Sequence, residues 1–122
     1  MPASYNERIY EVMANIRRQA EATTGTVTLL SVPTYITGLY HVHVGGVSPD
    51  LPDLTLSVAY VDPDVGTQTV TQTVSPTEGW QGGTKTADLA ISCQGNTAIV
   101  VSGSAATTAT VYWFADVARI PD

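Results

Sequence analysis

The sequence has little of several residue types whose scarcity restricts what the protein can be. It contains one cysteine, Cys93, among 122 residues, which excludes an internal disulfide framework and a cysteine-rich zinc site. No apolar run approaches the length of a membrane-spanning helix. The first residues lack a charged segment followed by an apolar stretch, so we expect no secretory signal peptide.

Charged residues are also scarce. They make up 13% of the chain, against about 25% in an average soluble domain. Five basic residues stand against eleven acidic ones, for a net charge of −6, which argues against a nucleic-acid partner. Because so little charge is available to cover an isolated surface, we expect other chains to cover part of it. A hydrophobic fraction of 43% is enough for the core of one domain.

The first 25 residues have a helical pattern and are predicted to form an N-terminal arm. Ser4 and Glu7 match a capping box at a helix start, and Gly25 suits a helix end. Apolar residues recur at helical spacing, so residues 4–21 are predicted to form an amphipathic helix that mediates attachment or trimer cohesion. The predicted partner-binding residues of this helix are Tyr5, Arg8, Ile9, Val12, Ile16, Arg17 and Arg18.

Residues 26–122 have the composition of strands separated by turns. Seven segments rich in Val, Thr, Tyr and Ile alternate with turn signals containing Gly, Pro, Asp and Asn. With no helical segment between them, they predict an antiparallel β-sandwich or jelly roll, and a mainly β chain overall. The predicted strands are 26–31, 35–44, 54–61, 67–74, 85–92, 97–102 and 109–117.

The hydrophobic core is predicted from the apolar residues at alternating positions of these strands, because alternate side chains on a strand share one face. The predicted core consists of Leu39 or Tyr40, together with Leu54, Leu56, Val58, Leu89, Ile91, Ile99, Val101, Val111 and Trp113.

Two histidines, His41 and His43, are weak candidates for metal binding. Positions i and i+2 of a strand share a face, so the pair could bind one ion. In cupin jelly rolls such a pair is joined by a nearby carboxylate and a later histidine. Here Gly46 and Val47 occupy the carboxylate positions and no third histidine exists, so a site within one chain is incomplete. Three copies around an axis could combine their pairs. The favoured alternative is two histidines on a half-exposed or subunit-facing strand without a metal.

A turn at residues 62–66 resembles the start of a calcium loop. It lacks a third acid, and Thr73 stands where the bidentate Glu would fall. Pro, Asp and Gly between two alternating strands are also typical of a hairpin turn, which is the favoured interpretation.

Trp80 lies in a polar, Gly-rich loop at residues 78–83. Its ring could form a contact surface or fold onto the body of the protein. Because aromatic residues are enriched at interfaces, Trp80 is included among the predicted partner-binding residues.

The sequence carries no recognisable catalytic set. It has no nucleophile elbow for a Ser–His–acid triad, and its glycines lack the helix and Lys-Ser/Thr of a phosphate-binding loop. We expect no catalytic residues, no cofactor and no enzymatic activity.

Three stretches together resemble known jelly rolls over about residues 26–120. GLYHVHV resembles the G-x-Y-x-V-x-V strand of the tumour-necrosis-factor and complement-globular-head type. LTLSVAYVD with GTQTVT is similar to a hairpin common in small tailed-phage virion proteins. The last strands, at 95–103 and 109–120, look like the closing pair of the same proteins, although the chain ends differently and the N-terminal segment is not part of the pattern.

The resemblance implies a homotrimeric structural protein of a phage virion. Its expected role is that of a decoration, or cement, protein that binds the major capsid protein on the outer surface of the head after synthesis in the host cytoplasm. An alternative is a tail-fibre or baseplate module that binds a host glycan through the Trp80 loop, and a remote one is a small cupin-type enzyme using His41 and His43. A cement protein should present broad flat contacts, whereas a sugar-binding surface should present exposed aromatics with acids.

Overall fold

The computed structural model describes residues 11–20, 26–48, 50, 53–74 and 85–120. Within these ranges the chain forms eight antiparallel strands in two four-stranded sheets. The strands are β1 (Glu11–Ala20), β2 (Val27–Thr34), β3 (Gly38–Val47), β4 (Leu54–Asp62), β5 (Gly66–Val74), β6 (Lys85–Cys93), β7 (Thr97–Ala105) and β8 (Val111–Arg119).

The strand order is that of a jelly roll. The first sheet has the order β1-β8-β3-β6 and the second has the order β2-β7-β4-β5. Consecutive strands alternate between the two sheets except at the β4–β5 hairpin, which stays within the second sheet. The predicted mainly β, antiparallel sandwich is therefore confirmed, and each of its seven predicted strands overlaps an observed one.

The predicted helix over residues 4–21 is wrong for residues 11–20, which form β1. This strand pairs antiparallel with β8, with one register shift between Val12 and Ala14. Val12 and Ile16 belong to the predicted helical stripe, but they are also an even number of residues apart, with Ala14 between them, as an alternating strand requires. The long-range pairing decides between the two, because β1 occupies an edge of β8 that would otherwise lack hydrogen-bond partners. Residues 1–10 and 21–25 lie outside the described residues.

The core lies between the two sheets, as the alternating pattern predicts. Of the two alternatives on β3, Tyr40 is fully buried and Leu39 is 52% exposed. Leu89 is partly buried and packs against the core. The other predicted core residues are all buried, namely Leu54, Leu56, Val58, Ile91, Ile99, Val101, Val111 and Trp113.

Trp113 packs against two glycines. Gly46 is its register partner on β3, and Gly103 lies on β7 of the opposite sheet. A Cβ atom added at Gly103 would lie 2.5 Å from Cζ3 of the Trp113 indole. The absence of side chains at the two glycines thus provides the space for the largest fully buried side chain of the described core.

The described ranges contain no helix long and apolar enough to cross a membrane.

Candidate functional site

The outer face of the first sheet carries both histidines. Alternation along β3 turns Tyr40, Val42 and Val44 into the core, so His41 and His43 point away from it. The neighbouring strands present Asp88 from β6 and, from β8, Phe114 and Asp116 on the same side. We call this set the imidazole–carboxylate face: His41, His43, Asp88, Phe114 and Asp116.

One carboxylate oxygen joins the two histidines. Oδ1 of Asp88 lies 2.8 Å from Nδ1 of His43 and 3.2 Å from Nε2 of His41. His43 is the cross-strand partner of Asp88, whereas His41 reaches it diagonally from its own partner, Ala90. The two imidazoles are 29% and 30% exposed and the carboxylate is 58% exposed. The three side chains therefore form a hydrogen-bonded cluster that solvent and ligands can reach.

An aromatic ring and a second acid complete the face. The rings of His43 and Phe114 lie 5.8 Å apart between centroids and are tilted by 31°. Asp116 is exposed and pairs with His43 from β8, on the side opposite Asp88. His43 is thus flanked by carboxylates on both neighbouring strands, with the Phe114 ring beside it.

His41 and His43 were predicted as weak candidates for metal binding. No group of three or more His, Cys, Asp or Glu side chains within the described ranges has an arrangement that could hold a metal ion. His41 and His43 instead lie half-exposed on a sheet face, with Asp88 as their shared partner. Whether this face meets other copies at a trimer interface stays a prediction.

Four of the predicted partner-binding residues belong to β1, beside β8 in the same sheet. Arg17 pairs in register with Phe114, and Val12 pairs with Ala118, which is itself the partner of His41. The other two register pairs are Ile16 with Ala115 and Arg18 with Trp113. Tyr5, Arg8, Ile9 and Trp80 lie outside the described residues.

Asp88, Phe114 and Asp116 were not predicted as site residues. Alternation in the segment around Leu89 and Ile91 already placed Asp88 on an outward face. No local feature of the sequence predicts that β3 pairs with both β6 and β8, since Asp88 lies 45 residues from His43 along the chain. Only the strand order brings these residues together.

The acidic turn after β4 is a hairpin turn, as predicted. Oδ1 of Asp62 accepts hydrogen bonds from the backbone N–H groups of Asp64 and Val65, at 2.7 and 3.1 Å. Gly66 has a φ of 87°, a conformation that favours glycine. The Asp62 carboxylate therefore stabilises the turn itself.

The outer face of the second sheet is uncharged. Cross-strand partners on β7, β4 and β5 place hydroxyl side chains next to one another on this face. The hydroxyl oxygens of Ser57 and Thr71 lie 3.2 Å apart, and those of Thr55 and Thr73 lie 3.4 Å apart. We call this surface the hydroxyl face. It includes Thr55, Ser57, Thr69, Thr71, Thr73, Ser102 and Ser104.

No protein-family model and no curated protein sequence matches this chain. Solved structures share its fold. PRD1 vertex protein P5 is 13% identical, with a TM-score of 0.58 over 89% of this chain and 98% of that one. A chain in the acidic stable capsid of Helicobacter pylori bacteriophage KHP30 is 14% identical, with a TM-score of 0.55 over 93% and 92%. The module TmCBM61, in complex with β-1,4-galactotriose, is 13% identical, with a TM-score of 0.52 over 86% and 68%. At these identities the similarity shows the fold alone.

Proposed function

We propose that the protein is a structural component of a phage virion, a homotrimeric decoration protein that binds the major capsid protein on the outer surface of the head. The observation that carries this proposal is the match to PRD1 vertex protein P5 over nearly the whole of both chains. The chain of the KHP30 capsid structure also matches over nearly the whole of both chains. In both cases the shared unit is a jelly roll of similar size with little added to it.

The hydroxyl face supports a docking role. It is broad, it is formed by regular strands, and its positions along β4, β5 and β7 carry no charge. A protein that covers such a face need not remove water from ionised groups, which is the main cost of burying a charged surface. This agrees with the low charge content of the whole chain, 13%.

The proposal includes the absence of enzymatic activity and of a cofactor. The thiol of Cys93 is fully buried and lies 3.6 Å from the hydroxyl of Thr97, so it is not placed as a nucleophile. His41 and His43 contact a carboxylate on an open sheet face. We further propose that the protein is made in the host cytoplasm and binds neither nucleic acid nor membrane.

The test is binding to phage heads assembled without this protein. Purified protein should co-sediment with these heads, but not with isolated tails, and should raise the temperature at which the heads release DNA. Ser57→Arg together with Thr71→Arg should weaken head binding by about tenfold or more, because a buried unpaired charge is costly.

The matched control is Val65→Arg together with Tyr35→Arg, which adds the same two charges at exposed positions outside the strands of the hydroxyl face. This variant should bind heads like the unmodified protein. Association with tails in place of heads would overturn the proposal and favour the tail-fibre or baseplate alternative. Unchanged head binding by the Ser57→Arg, Thr71→Arg variant would show that the hydroxyl face is not the contact.

A further inference from the structure

We propose that the imidazole–carboxylate face binds a neutral saccharide. The site consists of His43, Asp88, Phe114 and Asp116, with His41 as a positioning residue that contacts Asp88. It lies on the opposite side of the sandwich from the hydroxyl face, so one molecule could dock on a head and bind a saccharide at the same time. The inference does not depend on the proposed role in the virion.

The Asp88 carboxylate is arranged as a hydrogen-bond acceptor. Both imidazoles approach the same oxygen, Oδ1, at 2.8 and 3.2 Å. The Asp88 side chain is 58% exposed, and Oδ2 has no partner within the described part of the chain. Two imidazole nitrogens already contact this carboxylate, so its attraction for an added cation is reduced. A ligand hydroxyl needs only one free lone pair on the carboxylate to donate a hydrogen bond to it.

The contact with Asp88 involves only one ring nitrogen of His43. Nδ1 lies 2.8 Å from Oδ1 of Asp88, so Nε2 is the second hydrogen-bonding atom of the imidazole. No partner for Nε2 occurs in the described ranges. Asp116, across the strand pair from His43, adds a further carboxylate on the same side. The face therefore offers several acceptors in a row, which requires a ligand with several hydrogen-bond donors.

The Phe114 ring supplies the apolar part of the site. It is half-buried, and its contact with His43 places an aromatic surface beside the acceptors. A sugar ring has hydroxyl donors around its rim and an apolar C–H face, so it can pack on an aromatic ring while its hydroxyls reach nearby acceptors. All four side chains project from paired strands, which keeps the entropy cost of binding low.

The experiment probes the full chain with an array of neutral oligosaccharides that includes β-1,4-linked galactose, glucose and xylose oligomers. Ligands that bind are then titrated by NMR to millimolar concentration. We expect Phe114→Ala and Asp116→Ala each to weaken binding by about tenfold or more. The matched controls are Tyr35→Ala and Asp64→Ala, an exposed aromatic and an exposed acid outside the face, which should bind as the unmodified protein does.

Three outcomes would overturn the proposal. The first is no binding to any neutral oligosaccharide by protein whose thermal unfolding is normal. The second is binding that both variants of the face retain in full. The third is binding of a lysine-rich peptide, weakened by salt, with no saccharide binding, since that would assign the two carboxylates to a basic partner. Unchanged unfolding temperatures of the Phe114 and Asp116 variants ensure that a loss reports on the site.

Discussion

At the scale of single residues, the packing of Trp113 is the most constrained feature of the described core. The indole is 1% exposed, and its Nε1 finds no hydrogen-bond partner among the described residues. An unpaired buried N–H is unfavourable, so the close packing of the ring must offset that cost. Gly46 and Gly103 make this packing possible, because a Cβ atom at either position would approach the ring within 3.2 Å.

We predict that Gly103→Ala destabilises the protein by about 1–3 kcal/mol, the usual cost of overpacking a core. The new methyl would lie 2.5 to 2.9 Å from three atoms of the Trp113 ring, which is too close without a shift of the ring or the strand. Urea unfolding measures the effect. Gly38→Ala is the control, since a Cβ there meets nothing within 4 Å and should leave stability nearly unchanged.

The clash can be isolated with a double-mutant cycle. In a Trp113→Phe background the smaller ring leaves room for the methyl, so the added cost of Gly103→Ala should largely disappear. If Gly103→Ala lowered the free energy of unfolding equally in both backgrounds, the loss would come from the backbone at Gly103, which would contradict the packing argument.

At the scale of elements, β1 is the strand whose residues were predicted to form a helix. Nine residue pairs join it to β8, from Glu11 with Arg119 to Ala20 with Val111. Without β1, strand β8 would be an edge strand with a row of unpaired N–H and C=O groups. The pairing therefore matters both for stability and for preventing strand-to-strand association.

We predict that deletion of residues 1–20 lowers the free energy of unfolding by at least about 2 kcal/mol and promotes self-association, because it removes the ladder and exposes the edge of β8. Denaturant unfolding and sedimentation velocity measure the two effects. Deletion of residues 1–10 is the control for unfolding, as it leaves the pairing of β1 with β8 intact and should largely preserve the free energy of unfolding. If the longer deletion were as stable and as soluble as the full chain, the segment would act as a separable arm.

At the scale of the whole molecule, low charge and the uncharged hydroxyl face favour assembly. Eleven acidic and five basic residues leave few ionised groups for the surface of a 12.9 kDa chain. Surfaces poor in charge are those that protein interfaces bury at the lowest desolvation cost. The imidazole–carboxylate face, in contrast, contains two acids and two imidazoles and is better suited to a polar ligand.

We predict that the protein is a trimer in solution, with a mass by light scattering of three times the 12.9 kDa chain at micromolar concentration. Because charged residues make up only 13% of the chain, we expect the subunit contact to contain few of them. The trimer should therefore persist when the salt concentration is raised to 1 M, where charge attraction is screened within a few ångströms. A monomeric mass at both salt concentrations would count against the trimer. A trimer that dissociates in high salt would instead indicate a charged subunit interface.

The sandwich, most of the core and the hairpin turn after β4 can be predicted from the amino-acid sequence alone. These features rest on local rules. Alternation on a strand has a period of two, so Leu56, Val58, Ile99 and Val101 could be assigned to one face without knowing the partner strand. The Asp62 turn likewise depends on hydrogen bonds within three residues.

The strand at residues 11–20 and the composition of the imidazole–carboxylate face depend on contacts between distant parts of the chain. The apolar spacing around Ile16 is compatible with both helix and strand, and pairing with β8, about a hundred residues away along the chain, selects the strand. In the same way, His43 meets Asp88 and Phe114 because β3 lies between β6 and β8. Strand order depends on how the whole chain buries its apolar faces at once, so no local pattern encodes it.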